Sequence, residues 1–217
     1  LGGKNSAIIC KTSKLDFAVS KVIEGIFENG GQACVAISRV LIHESIFDIF
    51  LEKIISKIEK FVKLKKLKLQ EPANKTQKNK IFSTIKYIKN TYSKDVIKIF
   101  DLNLNKKYSP IFVYAKKKIN FFLKNEFFFP IVTFEKFNSL DECIKKNNST
   151  GYGLASYIYS SNENEKRRLV RYLQNGRIWI NTALEWNPAL PVGGYNMSGK
   201  GRDMGIEGFL IYLTTKS

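Results

Sequence analysis

Cys34 is the residue whose neighbours best suit it to covalent chemistry. It follows Gly30-Gly31-Gln32-Ala33 and precedes Val35-Ala36-Ile37-Ser38-Arg39, so its thiol stands directly after a flexible turn. The thiolate is the reactive form of cysteine, and backbone N–H groups gathered by such a turn favour it and leave space for a substrate carbon. The same amides can hold an oxyanion. Packing explains the other two cysteines: Cys10 closes the apolar run Ala7-Ile8-Ile9-Cys10, and Cys143 lies on an amphipathic segment. The three lack CxxC spacing, which indicates neither a disulfide framework nor a zinc ribbon and favours a reducing, cytoplasmic setting. His43, the sole histidine, is a conceivable base for Cys34, but its place in Ile42-His43-Glu44-Ser45 reads better as a polar loop edge. One histidine and scattered cysteines do not make a metal site. The stretch Gly193-Gly194-Tyr195-Asn196-Met197-Ser198-Gly199-Lys200-Gly201-Arg202 fits neither GxxxxGK[ST] nor GxGxxG before a helix, so its glycines read as tight turns and close backbone approaches rather than a phosphate loop.

The elements that must position these residues alternate between strand and helix. Ala7–Cys10 reads as a buried strand, followed by a helix with Leu15, Ala18, Val19, Val22 and Ile26 on one face. Arg39–His43 and then Ile46 to Ile58 repeat the pattern. A helix is expected around Ile81–Ile88, and strands near Val96–Phe100, Ile111–Tyr114, Ile131–Phe137, Gly153–Tyr159 and Arg177–Asn181. Helices are expected at Leu140–Asn147 and Glu163–Gln174, the latter with Leu169, Val170 and Leu173 inward and Gly176 as its C-cap. The alternation predicts an α/β fold, three-layered, with a mostly parallel sheet.

A chain of 217 residues that is 44% hydrophobic can bury a real core, which excludes disorder as its main state. The net charge of +17 raises nucleic acid as a partner, but its distribution disfavours that class. Residues 51–150 hold 23 of the 30 lysines and no arginine, whereas nucleic-acid surfaces recruit the arginine fork. Lys, Ile and Asn together make up a third of the chain, and their A/T-rich codons suggest a compositional origin for the charge. No apolar run approaches the length of a membrane span, and the start Leu1-Gly2-Gly3-Lys4 has no basic n-region of a signal peptide. Without an initiator Met, the chain reads as a piece of something longer.

Several motifs in order resemble the catalytic half of the NAD(P)-dependent aldehyde dehydrogenases. Leu1-Gly2-Gly3-Lys4-Asn5 resembles E-L-G-G-K-x after its glutamate, Gly31-Gln32-Ala33-Cys34 resembles G-Q-x-C, and Ser38-Arg39 through Phe50 resembles the S-R-x-x-V-x-E-S-I-Y-D-x-F continuation. Glu126-Phe127-Phe128-Phe129-Pro130 is similar to E-I-F-G-P, Tyr152-Gly153-Leu154-Ala155 to Y-G-L-A, and Gly176–Asn181 to G-x-V-W-I-N. Pro191–Arg202 is similar to P-F-G-G-x-K-x-S-G-x-G-R.

The resemblance implies one aldehyde dehydrogenase catalytic domain over residues 1–217, with the nucleotide-binding half, the glutamate base and the last interface strand outside them. It implies that Cys34 attacks a small aldehyde, and that Glu126 and Phe128 hold the ribose and ring of NAD or NADP. Asn181, Glu185 and Trp186 would line the substrate funnel, where Trp186 and Glu185 suit the trimethylammonium head of betaine aldehyde. Phe129 stands where the family has glycine, which would place bulk near the cofactor. Homo-oligomers are implied for the full-length protein, with neither membrane nor nucleic acid as partner. Two alternatives accompany this reading: an inactive remnant of such an enzyme, and a basic nucleic-acid-binding protein.

Overall fold

The computed structural model describes residues 2–64, 67, 69–100, 109–114, 120–214 and 216. Leu1, the first residue of the motif read at the amino end, lies outside them. Strand β1 (Asn5–Ile9) is buried along all five residues. It pairs in parallel with β2 (Ile37–His43) on one side and with β7 (Ala155–Tyr159) on the other. Continuing outward, β5 (Ile131–Phe137) and β4 (Ile111–Tyr114) follow β2, and β8 (Arg177–Ile180) follows β7, all in parallel. Among the described residues of this sheet only β3 (Val96–Ile99) runs antiparallel, at the edge beyond β4. The strand order β3-β4-β5-β2-β1-β7-β8 is therefore a mostly parallel α/β sheet. Its central strands are buried along most of their length because helices cover both faces.

Alternate residues of each strand feed two separate cores. Ala7 and Ile9, Val40 and Ile42, and Tyr157 and Tyr159 pack under α1 (Leu15–Phe27), α2 (Phe47–Lys63) and α3 (Lys75–Thr91). Ile8, Cys10, Leu41 and Ile158 face the opposite side, with Cys143 of α5 (Leu140–Asn148) and Leu169 of α6 (Glu163–Tyr172). Helix α2 shows why the layers form. Phe47, Phe50, Ile54 and Ile58 recur at three- and four-residue spacing and are all buried. The α3 amino end is set by Asn74, whose side chain accepts the Gln77 N–H at 2.8 Å. Between the strands, Arg39 of β2 is fully buried and ion-paired at 2.9 Å to Glu135 of β5.

Four expectations change. The helix placed around Ile81–Ile88 is α3 and runs much longer, because its exposed lysines conceal its periodicity. Val170 of α6 is 43% exposed, since Leu169 already faces the sheet. Gly176 caps no helix: α6 ends at Tyr172, and a Cβ on Gly176 would stand 1.8 Å from the Gly193 carbonyl oxygen. The strand read from Gly153 divides into β6 (Tyr152–Gly153) and β7, because Tyr195 and Asn196 pair with β6 in a separate two-stranded ladder. A short helix, α4 (Asn120–Lys124), was not anticipated.

Candidate active site

The chain approaches the amino ends of β1, β2 and β5 through three segments that meet. The first, Gly2–Gly3, leads into β1; the second carries Cys34 into β2; the third is Glu126–Pro130, leading into β5. Two glycines make the meeting feasible. A Cβ on Gly2 would lie 2.5 Å from Glu126 Oε2, and one on Gly3 would lie 2.8 Å from the Cys34 carbonyl oxygen. With only hydrogens there, Gly3 N–H donates to Glu126 Oε1 at 2.8 Å.

Asn5 fastens the Cys34 segment to the sheet. Its Nδ2 donates to the carbonyls of Cys34 and Ala36, each at 2.9 Å, and its Oδ1 accepts the Ala155 N–H of β7 at 3.1 Å. Tyr157 adds a fourth tie, its hydroxyl donating to the Val35 carbonyl at 2.8 Å. Held in this way, Cys34 is exposed, whereas Cys10 and Cys143 are buried. Burial pushes both buried thiols up from their ordinary range, so neither is a nucleophile at neutral pH. Among the described residues nothing accepts the Cys34 N–H, which leaves that donor free.

Glu126 is half-buried, and desolvation raises its carboxyl above the usual range against the opposing pull of the Gly3 N–H and the Lys4 charge. Lys4 is buried beside it, its Nζ 4.5 Å over the Phe127 ring and without a hydrogen-bond partner. Desolvation, and then the Arg39 charge, push Lys4 down to about 7. Phe128 adopts φ 52 between the buried Phe127 and Phe129. Phe129, which stands where bulk near the cofactor was expected, is buried in the main core and also lines the crevice beside Glu126 and Phe128. A carboxylate acceptor and an adjoining aromatic ring suit a ribose hydroxyl and a nicotinamide by their chemistry, while the crevice that also holds Gly3 and Ala33 is about 20 Å³, the room of a single water.

The structure brings Cys34, Glu126 and Phe128 to one edge but separates them from Asn181 and His43. His43 closes β2 at the far end of a seven-residue strand, about 20 Å away at the usual rise, where its Nδ1 meets Ser45 Oγ at 2.8 Å. No Cys–His dyad forms. Asn181 follows β8 at the same far edge, and its side-chain amide is spent on Ser160: Nδ2 donates to the Ser160 carbonyl at 2.8 Å and Oδ1 accepts its N–H at 3.0 Å. Trp186 and Glu185 sit beside Trp179, whose ring stacks on Tyr157 at 4.8 Å and 9° and whose Nε1 donates to the Glu185 carbonyl at 2.7 Å. The Glu185 carboxylate accepts from Thr182 Oγ1.

Asn5, Lys4, Tyr157 and Ser198 also shape the site, although sequence reasoning gave none of them a role. Ser198 Oγ donates to the Gly2 carbonyl at 2.6 Å and accepts the Gly153 N–H at 3.0 Å, bracing the glycine segment from behind. Its place in the glycine-rich stretch was the available signal.

Comparison with known proteins shows the family. A model of the aldehyde dehydrogenase family matches residues 1–217, and the chain belongs to that family. It is 32% identical over 230 residues to aldehyde dehydrogenase [NAD(P)+] 1 of Saccharomyces cerevisiae, covering all of this chain and 45% of that protein. Among solved structures, betaine aldehyde dehydrogenase of Staphylococcus aureus in complex with NAD+ superposes with a TM-score of 0.84 at 28% identity, over 100% of this chain and 45% of that one. The NAD+ complex of a Bacillus cereus aldehyde dehydrogenase gives 0.85 at 29% identity, over 96% and 43%. The chain thus spans a little under half the length of the relatives it matches.

Proposed function

We propose that residues 1–217 form the catalytic domain of an NAD(P)-dependent aldehyde dehydrogenase and that Cys34 is its nucleophile. One observation carries this reading: the exposed Cys34 and the half-buried Glu126 belong to one cluster, joined through Gly3 and Asn5. The Cys34 thiolate adds to the aldehyde carbon, and the carbonyl electron pair moves to oxygen, where the free Cys34 N–H is available to it. Bound NAD(P) would supply the acceptor for the hydride that leaves this thiohemiacetal carbon. Glu126 and Phe128 are the residues that would hold the ribose and the ring. The thioester left on Cys34 is released as acid when water adds and the C–S bond breaks.

Of the narrower readings, betaine aldehyde draws on the S. aureus likeness and on the exposed Trp186. It is not favoured by Arg177, whose guanidinium already covers Trp186 at 4.7 Å where a trimethylammonium group would go. Self-association of the full-length protein draws support from the exposed apolar side chains of Ile206, Phe209, Ile211, Tyr212 and Leu213.

Alkylation by iodoacetamide followed by peptide mapping tests the nucleophile. Cys34 is expected to carry the adduct while Cys10 and Cys143 stay unmodified in the folded chain. Labelling of Cys10 or Cys143 ahead of Cys34 would overturn the assignment. In the full-length protein, Cys34→Ser is expected to abolish aldehyde-dependent NADH formation.

A further inference from the structure

Arg177 opens β8 at the same edge of the sheet as Cys34. Its guanidinium lies 5.3 Å from the Trp179 ring and 4.7 Å from the Trp186 ring, and the two indoles meet edge to face at 5.7 Å. These rings border an open groove of about 470 Å³ that also includes Glu185, Leu190 and Pro191. Two aromatic faces fix the plane of the fork, yet they satisfy none of its in-plane donors. Nη2 is buried and has no hydrogen-bond partner, and among the described residues no carboxylate pairs with Arg177. The nearest acid in the groove, Glu185, is engaged by Thr182. A buried donor left unmet is costly, and a planar donor pair is shaped for an oxyacid.

The groove communicates with Cys34 through one stack. Trp179 lies flat on Tyr157, and the Tyr157 hydroxyl holds the Val35 carbonyl, one residue from Cys34. A ligand whose carbonyl sits at Cys34 and whose other end enters this groove would meet the fork. Desolvation pulls Arg177 below its ordinary range, an effect that a carboxylate partner would reverse.

We propose that Arg177 is a specificity-determining residue that binds a carboxylate at the far end of the aldehyde, so that the substrate is a carboxyl-bearing aldehyde rather than a quaternary ammonium aldehyde. This rests on Cys34 being the nucleophile.

The test uses two iodoacetyl reagents of equal length, iodoacetyl-β-alanine, which ends in a carboxylate, and its neutral N-methylamide. In each case the thiolate displaces iodide and forms a thioether, and the rate at Cys34 is read by peptide mapping. The ratio of the charged to the neutral rate is expected to fall roughly tenfold in Arg177→Gln, the scale of one charge-assisted hydrogen bond. Arg177→Lys, which keeps the charge without the fork, is expected to retain part of the preference. Arg168→Gln removes the same charge from the exposed face of α6, where Arg168 pairs with Asp141, and is expected to leave the ratio unchanged. A ratio in Arg177→Gln within twofold of the parent chain would overturn the proposal. Failure of Cys34 to take up either reagent would overturn the nucleophile reading, and this one with it.

Discussion

The two edges of the sheet treat their polar groups in opposite ways. At the carboxyl edge the chain satisfies itself: Asn181 and Ser160 exchange two hydrogen bonds, Ser160 Oγ donates to Glu165, and Ser13 Oγ donates to the carbonyls of Cys10 and Tyr159 at 2.6 Å each. At the amino edge, among the described residues, four donors stay unmet, namely the Cys34 N–H, Lys4 Nζ, Ser38 Oγ and Arg177 Nη2. In open α/β sheets ligands usually sit outside the carboxyl ends of the strands, and a cavity of about 420 Å³ does lie there, lined by Lys14, Tyr159 and Asn181. The unmet donors are nonetheless gathered at the other end. Unspent hydrogen-bonding capacity, more than cavity size, separates a surface poised for a ligand from one that is merely folded.

Substitutions can break or sharpen this contrast. The largest effect is expected between the edges, in the Arg39–Glu135 pair that both share. Glu135→Leu leaves a buried guanidinium without its counter-ion and should cost about 3–5 kcal/mol in urea unfolding. Next, Asn5→Ala removes three hydrogen bonds at the amino edge, two of them buried and one partly so. It should cost about 2–3 kcal/mol and also change the Cys34 alkylation rate several-fold, because the Cys34 carbonyl loses its anchor. Asn181→Ala, its counterpart at the carboxyl edge, should cost about 1–2 kcal/mol and leave Cys34 alkylation unchanged. Equal effects of the two asparagines on the thiol would erase the distinction between the edges.

The smallest effect expected is a gain. Lys4→Met removes a buried amine that has no partner, and it should stabilise the chain by about 1 kcal/mol at pH 7. Because Lys4 is held near 7 in the fold against the usual 10.5, the unfolded chain binds more protons across that window. The lysine's contribution to stability therefore rises as pH climbs from 7 toward 10 and levels off at its minimum below 7, where both states carry the proton. Unfolding curves at pH 7 and pH 9.5 should show a larger gain for the parent chain than for Lys4→Met.

The strands Ile131–Phe137 and Ile111–Tyr114 were legible to the residue, because each opens on an apolar pair directly after a proline, Pro130 and Pro110, that marks its start. The Lys-rich α3 was located but foreshortened, since only Ile81, Ile85 and Ile88 carry its pattern. The meeting of Cys34 with Glu126 was legible only as motifs, 92 residues apart, and what unites them is a pair of glycines whose missing side chains mean nothing until the neighbours are known. Asn181 shows the converse limit. Its motif suggested the funnel, but a strand of four residues separates its two ends by more than a hydrogen bond can span, and Asn181 is at the wrong one for Cys34.

The flat contact between Tyr157 and Trp179 also provides an intrinsic optical gauge of this half of the molecule. The phenol oxygen grips the backbone beside the thiol while its ring lies against the indole, so any tilt of that backbone must alter the overlap of the two rings. Emission from the chain's two tryptophans, Trp179 and Trp186, would register the filling of the groove and the loading of the sulfur without any attached dye.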